Sequence, residues 1–318
     1  MSKQLEFVHV LKSVARNKQL KASFMNSKEL SPLLLRAAQR FITGEKQNDG
    51  LLIAKQLIEK GYFISLEYIG ENTTTLEESE QAKNEFLQLI EEMGAQSMKE
   101  TVSLDLSHIG LNVDEGTAYR HLIELVEKAE KHNMTLMVSM EEAARTDEIL
   151  AIYKQIASQY ENVGITIQAY LPRSTHDLNE LLHYPGKIRL VKGAYQELAH
   201  VTLSRSSELN HRYLQLAEQV IKAEHSLSIA THDELLLAEC EKQKFLQLPN
   251  VQTEMLYGIR PDLLKRLKSK GYQTSTYLIY GNDWYLYLCH RIAEYPENLY
   301  QAMIDMMNPS PIKECERY

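Results

Sequence analysis

The chain has 318 residues, 44% of them hydrophobic, which is too apolar for disorder and long enough for one large domain or two ordinary ones. Its 35 basic residues against 43 acidic ones leave a net charge of −8. That balance does not suit coating a polyphosphate, so no nucleic-acid partner is expected, although a local basic patch could hold one phosphorylated ligand. Cys240, Cys289 and Cys315 are odd in number and far apart, with no CxxC and no zinc spacing, which predicts free thiols in a reducing compartment. No window reaches the roughly 18 apolar residues of a spanning helix, and the N-terminus lacks a signal-peptide core. A cytoplasmic protein without an integral membrane segment is the expectation.

In chain order, residues 1–60 read as helical. LSPLLLRAAQRFI has helical apolar spacing with Pro32 near its start, and AKQLIEKG runs to a stop at Gly61. A strict alternation then begins. Strands are predicted at 62–70, 102–107, 135–140, 163–171, 187–195, 227–232, 251–258 and 274–281, each followed by a charged or amphipathic helix. Eight strand–helix units in about 230 residues match an α/β protein of the closed (β/α)8 TIM-barrel type, with 1–60 as a helical extension and 61–318 as the barrel. An open doubly wound sheet is the alternative, and the lack of a GxGxxG or Walker pattern counts against it.

In such a barrel the chemistry belongs at the C-terminal ends of the strands. TVSLDLSHIG (101–110) places Asp105 near one such end, either as the wet face of an edge strand or as part of a site. IRLVKGAYQE (188–197) sets Arg189 and Lys192 in an apolar run that should be central. Buried charge is costly unless paired, so an internal salt bridge or a ligand role follows, and Gly193 and Ala194 leave room for close backbone approach. IATHDE (229–234) ends a strand with Thr231 and His232, which suits a structural hydrogen bonder or a catalyst. In YGNDWYLYLCHRIAEYPEN (280–298), Asn282 or Asp283 can cap a helix, Tyr287 shares a face with Arg291, and His290 shares one with Glu294.

These stretches together resemble the proline dehydrogenase family, the flavin-dependent (β/α)8 enzymes that oxidise L-proline to a cyclic imine. The likeness runs through RFITGE, YIGEN, QAYL, RLVKGAY, ATH, MLYG and YG…W..Y…R..E, and RLVKGAY is its most specific part. The resemblance implies a non-covalent FAD across the barrel mouth and electrons passed on to a quinone or another acceptor. It places Arg189 beside the reactive flavin nitrogen, where a cation would stabilise the anionic reduced ring. It puts Lys192, Gly193 and Ala194 near the phosphates and ribityl chain, Gln168 on the ring, and Thr231, His232 and the backbone of Met140 against the cofactor. Tyr277, Leu256 and Tyr287 would wall a small amine or imino-acid substrate.

The likeness breaks on the substrate side. The family holds the substrate carboxylate with a lysine on the second strand and two adjacent arginines on the last helix, where this chain has Asp105 and His290-Arg291. Ser139 stands where the family has an aspartate that bears on catalysis, and Glu71, the family's gate residue, would face His290. Like charges about 4 Å apart at intermediate dielectric cost on the order of 4 kcal/mol, so Asp105 disfavours a free carboxylate unless it is protonated or paired with Arg291 or His290. The expected function is an FAD-dependent oxidoreductase moving a hydride from the carbon beside nitrogen of proline or a proline-like cyclic amine. A standard L-proline dehydrogenase and a non-catalytic flavin-binding homologue are the alternatives.

Overall fold

The computed structural model describes residues 3–70, 73–195, 197–198, 200–295, 297–308, 310 and 312–318. Four helices come first: α1 (Lys3–Arg16), α2 (Lys18–Met25), α3 (Leu30–Ala38) and α4 (Gln47–Glu59). The strands follow as β1 (Phe63–Tyr68), β2 (Thr101–Leu104), β3 (Thr135–Val138), β4 (Val163–Gln168), β5 (Ile188–Val191), β6 (Leu227–Ala230), β7 (Val251–Leu256) and β8 (Thr274–Tyr280). Between and after them lie α5 (Leu76–Ala95), α6 (Glu115–Lys131), α7 (Thr146–Ala157), α8 (Ser174–Leu181), α9 (Ser207–Lys222), α10 (Glu234–Lys242), α11 (Pro261–Ser269), α12 (Trp284–Glu294) and α13 (Glu297–Met307).

All eight strands pair in parallel in chain order, and β8 closes on β1 from Phe63 opposite Ser275 to Tyr68 opposite Tyr280. The result is a closed (β/α)8 barrel rather than an open sheet. Local chemistry starts the helices where the sequence changes period. Thr75 and Glu78 exchange backbone hydrogen bonds in a capping box at α5, Asp114 accepts from Thr117 N–H at α6, and Asp233 accepts from Leu235 and Leu236 N–H at α10. At the other end of α4, Gly61 takes φ +80°, the left-handed turn that a helix stop needs.

The predicted strands run too far at their C-terminal ends. β2 stops at Leu104, β5 at Val191 and β6 at Ala230. Past β2 the backbone turns into a loop of the barrel mouth, where the Asp105 and Leu106 carbonyls accept from His108 and Ile109 N–H. Past β6, Thr231 N–H keeps one bond to the Glu254 carbonyl while its Oγ1 accepts from Asp233 N–H at 3.2 Å. α4 starts at Gln47, well before the AKQLIEKG run, and α13 follows where no helix was expected. Asp283 occupies the N-cap position of α12 but makes no side-chain cap hydrogen bond, because its carboxylate takes the Lys21 ammonium from α2.

Apolar faces of the strands and of α4–α11 form the main core, in which every residue of β4 is buried. A second core joins Ala37, Ala38, Phe41 and Ile42 to Trp284, Leu288 and Ile292, so α1 and α3 pack on α12 and α13 rather than standing apart from the barrel. A charged seam ties the C-terminal residues to this layer. Arg40 bridges Asp305 and Glu314, and the buried Tyr318 stacks on Tyr257 while its hydroxyl accepts from Gly258 N–H at 2.8 Å. The charges of that seam satisfy one another, so it reads as structural.

Candidate active site

The barrel interior is charged. In an eight-strand ring β5 lies opposite β1, so a side chain from β5 can touch β1 only across the middle. Arg189 does this. Its Nη2 donates to Ser65 Oγ of β1 at 3.0 Å and to Ser103 Oγ of β2 at 2.9 Å, and its Nε lies 2.6 Å from Glu254 Oε1 of β7. Both charged side chains are 4% exposed. The internal salt bridge weighed for this strand therefore exists, with the glutamate that the alternation of VQTEML puts on the inner face of β7. Above the guanidinium stands Tyr277 of β8, its ring centroid 4.9 Å from the Arg189 carbon.

Tyr277 is where the predicted substrate residues meet. Its hydroxyl donates to the Glu67 carboxylate of β1. Burial first, then the charges of Glu67 and Asp105, push its phenol well above the ordinary value, while Arg189 pulls the other way. From α12, Arg291 stacks over the Tyr287 ring at 4.7 Å and donates from Nη2 to Glu294 at 2.9 Å. Glu294 thus pairs with Arg291, three residues before it on the same helix, which gives the buried guanidinium a counter-charge. Burial raises the Tyr287 phenol to about 12, and its buried hydroxyl has no hydrogen-bond partner among the described residues. Glu71 and its expected pairing with His290 lie outside the described residues.

The predicted cofactor residues form a second group around the same rim. Gln168 is 3% exposed, and its Nε2 donates to the Glu141 carbonyl at 3.1 Å and, more weakly, to that of Met140 at 3.5 Å. Its Oε1 has no donor among the described residues. Lys192, after β5, is ion-paired with Asp233, after β6. Burial lifts that carboxyl, but the Lys192 hydrogen bond and the α10 N-terminal N–H groups outweigh it and hold Asp233 below the usual range. Gly193 takes φ +106° with the Tyr170 ring where a Cβ would stand, and its carbonyl accepts from Arg205 at 2.6 Å. Ala194 is exposed beside it. Ser139 is half-buried at the end of β3, held by its backbone N–H to Leu104, and no side-chain hydrogen bond of Ser139 is recorded among the described residues.

His232 has a positioning task. Its Nε2 accepts from Leu256 N–H at 2.9 Å, so the ring proton sits on Nδ1 and the imidazole ties the end of β6 to the Leu256 wall. Burial, then the charges of Arg291 and Arg260, lower its pKa to about 3. The folded form thus holds His232 neutral, whereas the unfolded chain protonates near 6.5. Its contribution is complete above about pH 6.5 and is lost as pH falls toward 3, about 2 kcal/mol of it by pH 5. Thermal unfolding from pH 7.5 to 5 should show a loss that His232→Gln reduces, the remainder including His108, whose burial lowers it to about 4; parallel curves for the two proteins would contradict the neutral His232 imidazole.

The residues to which reading the sequence gives no role in the site are Ser65, Ser103, Glu141, Asp233 and Glu254, the last of them recognised only as a polar residue at a strand end. Only Glu254 carried a signal, a lone acid inside a strand as Arg189 is a lone cation inside another. Glu141 is 4% exposed; burial raises its carboxyl although Ser107 N–H donates to it at 2.9 Å.

Similarity to known proteins agrees with this geometry. The family model described as proline dehydrogenase matches residues 53–301. "Proline dehydrogenase 2" of Bacillus subtilis (strain 168) is 30% identical over 266 residues, 83% of this chain and 88% of that protein. "Proline dehydrogenase" of Deinococcus radiodurans is 32% identical over 271 residues, 82% of this chain and 87% of that one. Among solved structures, proline utilization A (PutA) from Bdellovibrio bacteriovorus, inactivated by N-propargylglycine, shares the fold with a TM-score of 0.78 at 18% identity. The match covers 97% of this chain, which spans 40% of that larger protein. The barrel and the matched family together make this a flavin-dependent oxidoreductase of the (β/α)8 class. The chain belongs to the proline dehydrogenase family.

The residues present fit a flavin. Gln168 Oε1 is a buried acceptor in want of an N–H, Arg189 offers a cation from below, and Lys192 stands by the left-handed turn at Gly193. Among the described residues no helix is long and apolar enough to cross a membrane.

Proposed function

We propose that this protein binds FAD at the mouth of the barrel formed by 61–318, with 1–60 as a helical extension, and oxidises proline or a proline-like cyclic amine in the cytoplasm. The observation that carries the reading is the convergence of Arg189, Tyr277 and Arg291 on one barrel mouth. When bound, FAD supplies the acceptor for the hydride that leaves the carbon beside nitrogen, and a quinone or another acceptor takes the electrons onward.

The chain's own residues bind and orient. Gln168 Oε1 would accept an N–H of the bound flavin, and the Arg189 guanidinium would favour negative charge gathering on it. Lys192 would share its bond to Asp233 with a phosphate, while Gly193, Ala194, Thr231 and the Met140 backbone would line the cofactor. Tyr277, Leu256 and Tyr287 wall the substrate ring and exclude water, so that orientation supplies much of the rate. Arg291 is the cation left for a substrate carboxylate, and Ser139 stands at the end of β3 on the reacting side.

One observation favours a substrate whose carboxyl group is masked. Arg291 is already neutralised by Glu294, while Glu67 and Asp105 both press negative potential on Tyr277. Like charge near a free carboxylate weakens its binding by several kcal/mol, on the order of 4 at about 4 Å and intermediate dielectric.

The test is anaerobic titration of the FAD-loaded protein with L-proline and with L-prolinamide, following the oxidised-flavin band. Bleaching is expected, at lower concentration with prolinamide. Tighter response to proline would sink the masked-carboxyl reading, and a flavin band that ignores both would sink the catalytic one in favour of a flavin-binding homologue.

A further inference from the structure

Among the described residues, Glu254 is an acid of the barrel interior that none of the roles above uses. Glu254 meets Arg189 through both carboxylate oxygens, Oε1 at 2.6 Å from Nε and Oε2 at 3.4 Å from Nη2. Both side chains are almost wholly shielded from water, so their fields are little screened. Nη2 is held further by Ser65 and Ser103, whose hydroxyls lie 2.7 Å from each other. Strands β1, β2 and β7 therefore clamp one guanidinium carried by β5. An unpaired guanidinium would present a full positive charge to the barrel mouth. With a carboxylate bound on its Nε edge, the field that reaches the mouth is that of an ion pair, much weaker and directional. The two serines orient the fork without changing its charge.

We infer that Glu254 is a positioning residue that sets how much positive potential Arg189 delivers to the flavin, holding both the flavin's reduction potential and its affinity for anions below what a bare arginine would give. The inference rests on the proposed flavin site. Its chemical content is specific: charge removal at Glu254 must act on the electronics of the cofactor, whereas loss of a serine hydroxyl must act mainly on how firmly Arg189 is held.

The experiment compares wild type, Glu254→Gln and Ser65→Ala, each loaded with FAD. Two quantities are read without any turnover. One is the flavin midpoint potential. The other is the dissociation constant of sulfite, an anion that adds to oxidised flavins and bleaches them. Glutamine keeps the shape but not the charge. Glu254→Gln should raise the potential and tighten sulfite binding by about tenfold, the order expected for unmasking one nearby charge at intermediate dielectric. Ser65→Ala should leave both close to wild type. Unchanged values in flavin-loaded Glu254→Gln, or an equal shift in Ser65→Ala, would overturn the inference. If Glu254→Gln does not fold, Glu254→Asp draws the carboxylate back by one methylene and should shift both readouts in the same direction by less; no shift there overturns it too. A wild-type protein that takes up no FAD sinks the flavin site itself, an outcome distinct from a loaded protein with unaltered electronics.

Discussion

Replacing Arg189 with methionine will destabilise the protein by about 3–5 kcal/mol and cut substrate-dependent flavin reduction by a factor of about 10²–10³. The stability loss comes from the partner left behind. Glu254 is 4% exposed and has Arg189 as its ion-pair partner, so the variant buries a carboxylate that has lost that partner and is left with the longer-range pull of Lys187. Methionine fills much of the same volume, so little of the effect is a cavity. The loss of rate would have a separate origin in the role proposed for Arg189, a cation that favours negative charge on the flavin. The double variant Arg189→Met/Glu254→Gln separates the two. It should recover part of the stability, because the orphaned charge is gone, and none of the rate. Denaturant unfolding and anaerobic rapid-mixing kinetics would measure these. A single variant less than about 1 kcal/mol weaker than wild type, or a double variant no better than the single, would refute the pairing as a source of stability.

Gly193→Ala should cost about 2–4 kcal/mol and empty the flavin site. The new Cβ would stand 2.3 Å from Tyr170 Cδ1 and 2.4 Å from Cε1. Tyr170 is 6% exposed and packed in the core, so its ring cannot swing aside cheaply. The backbone adds its own strain, since φ +106° lies where alanine pays about 1–2 kcal/mol. Relief of the clash would move residues 192–194, which carry the Lys192–Asp233 pair and the carbonyl held by Arg205. Gly271→Ala is the matched control. Its φ is +86° with nothing within 4 Å of the added atom, so it bears the conformational cost alone. Melting temperature and bound FAD per chain, measured for both variants, should fall much further for Gly193→Ala. Equal losses in the two would mean that the Tyr170 contact contributes nothing.

The residues of the rim were legible in the sequence because their placement is a local matter. Arg189, Lys192 and Gly193 sit in one strand and the turn after it, and Gln168, Thr231 and His232 sit at other strand ends. The rule that strand ends face the barrel mouth then gathers them. Partners were legible only where they lie in the same segment. At α12 the helix spacing put Glu294 on one face with His290, and the structure shows in addition its ion pair with Arg291, three residues away. Lys192 with Asp233, Gln168 with the Glu141 carbonyl and His232 with Leu256 N–H each join two different loops or strands.

By itself the sequence determined the eight alternations of strand and helix, the helical start, and a rim of unusual polar residues at the strand ends. Side-chain period and turn chemistry act over a few residues, and each segment carries its own copy of them. Only the tertiary structure decided that the sheet closes, that α1 and α3 pack on α12 and α13, and that Arg189 reaches across the barrel to Ser65, Ser103 and Glu254. Alternation tells which side chains point inward, but many inward pairs are possible. Which acid meets which base is settled by strand order, register and closure, and these follow from contacts between residues far apart in the chain, whose energies no single segment contains.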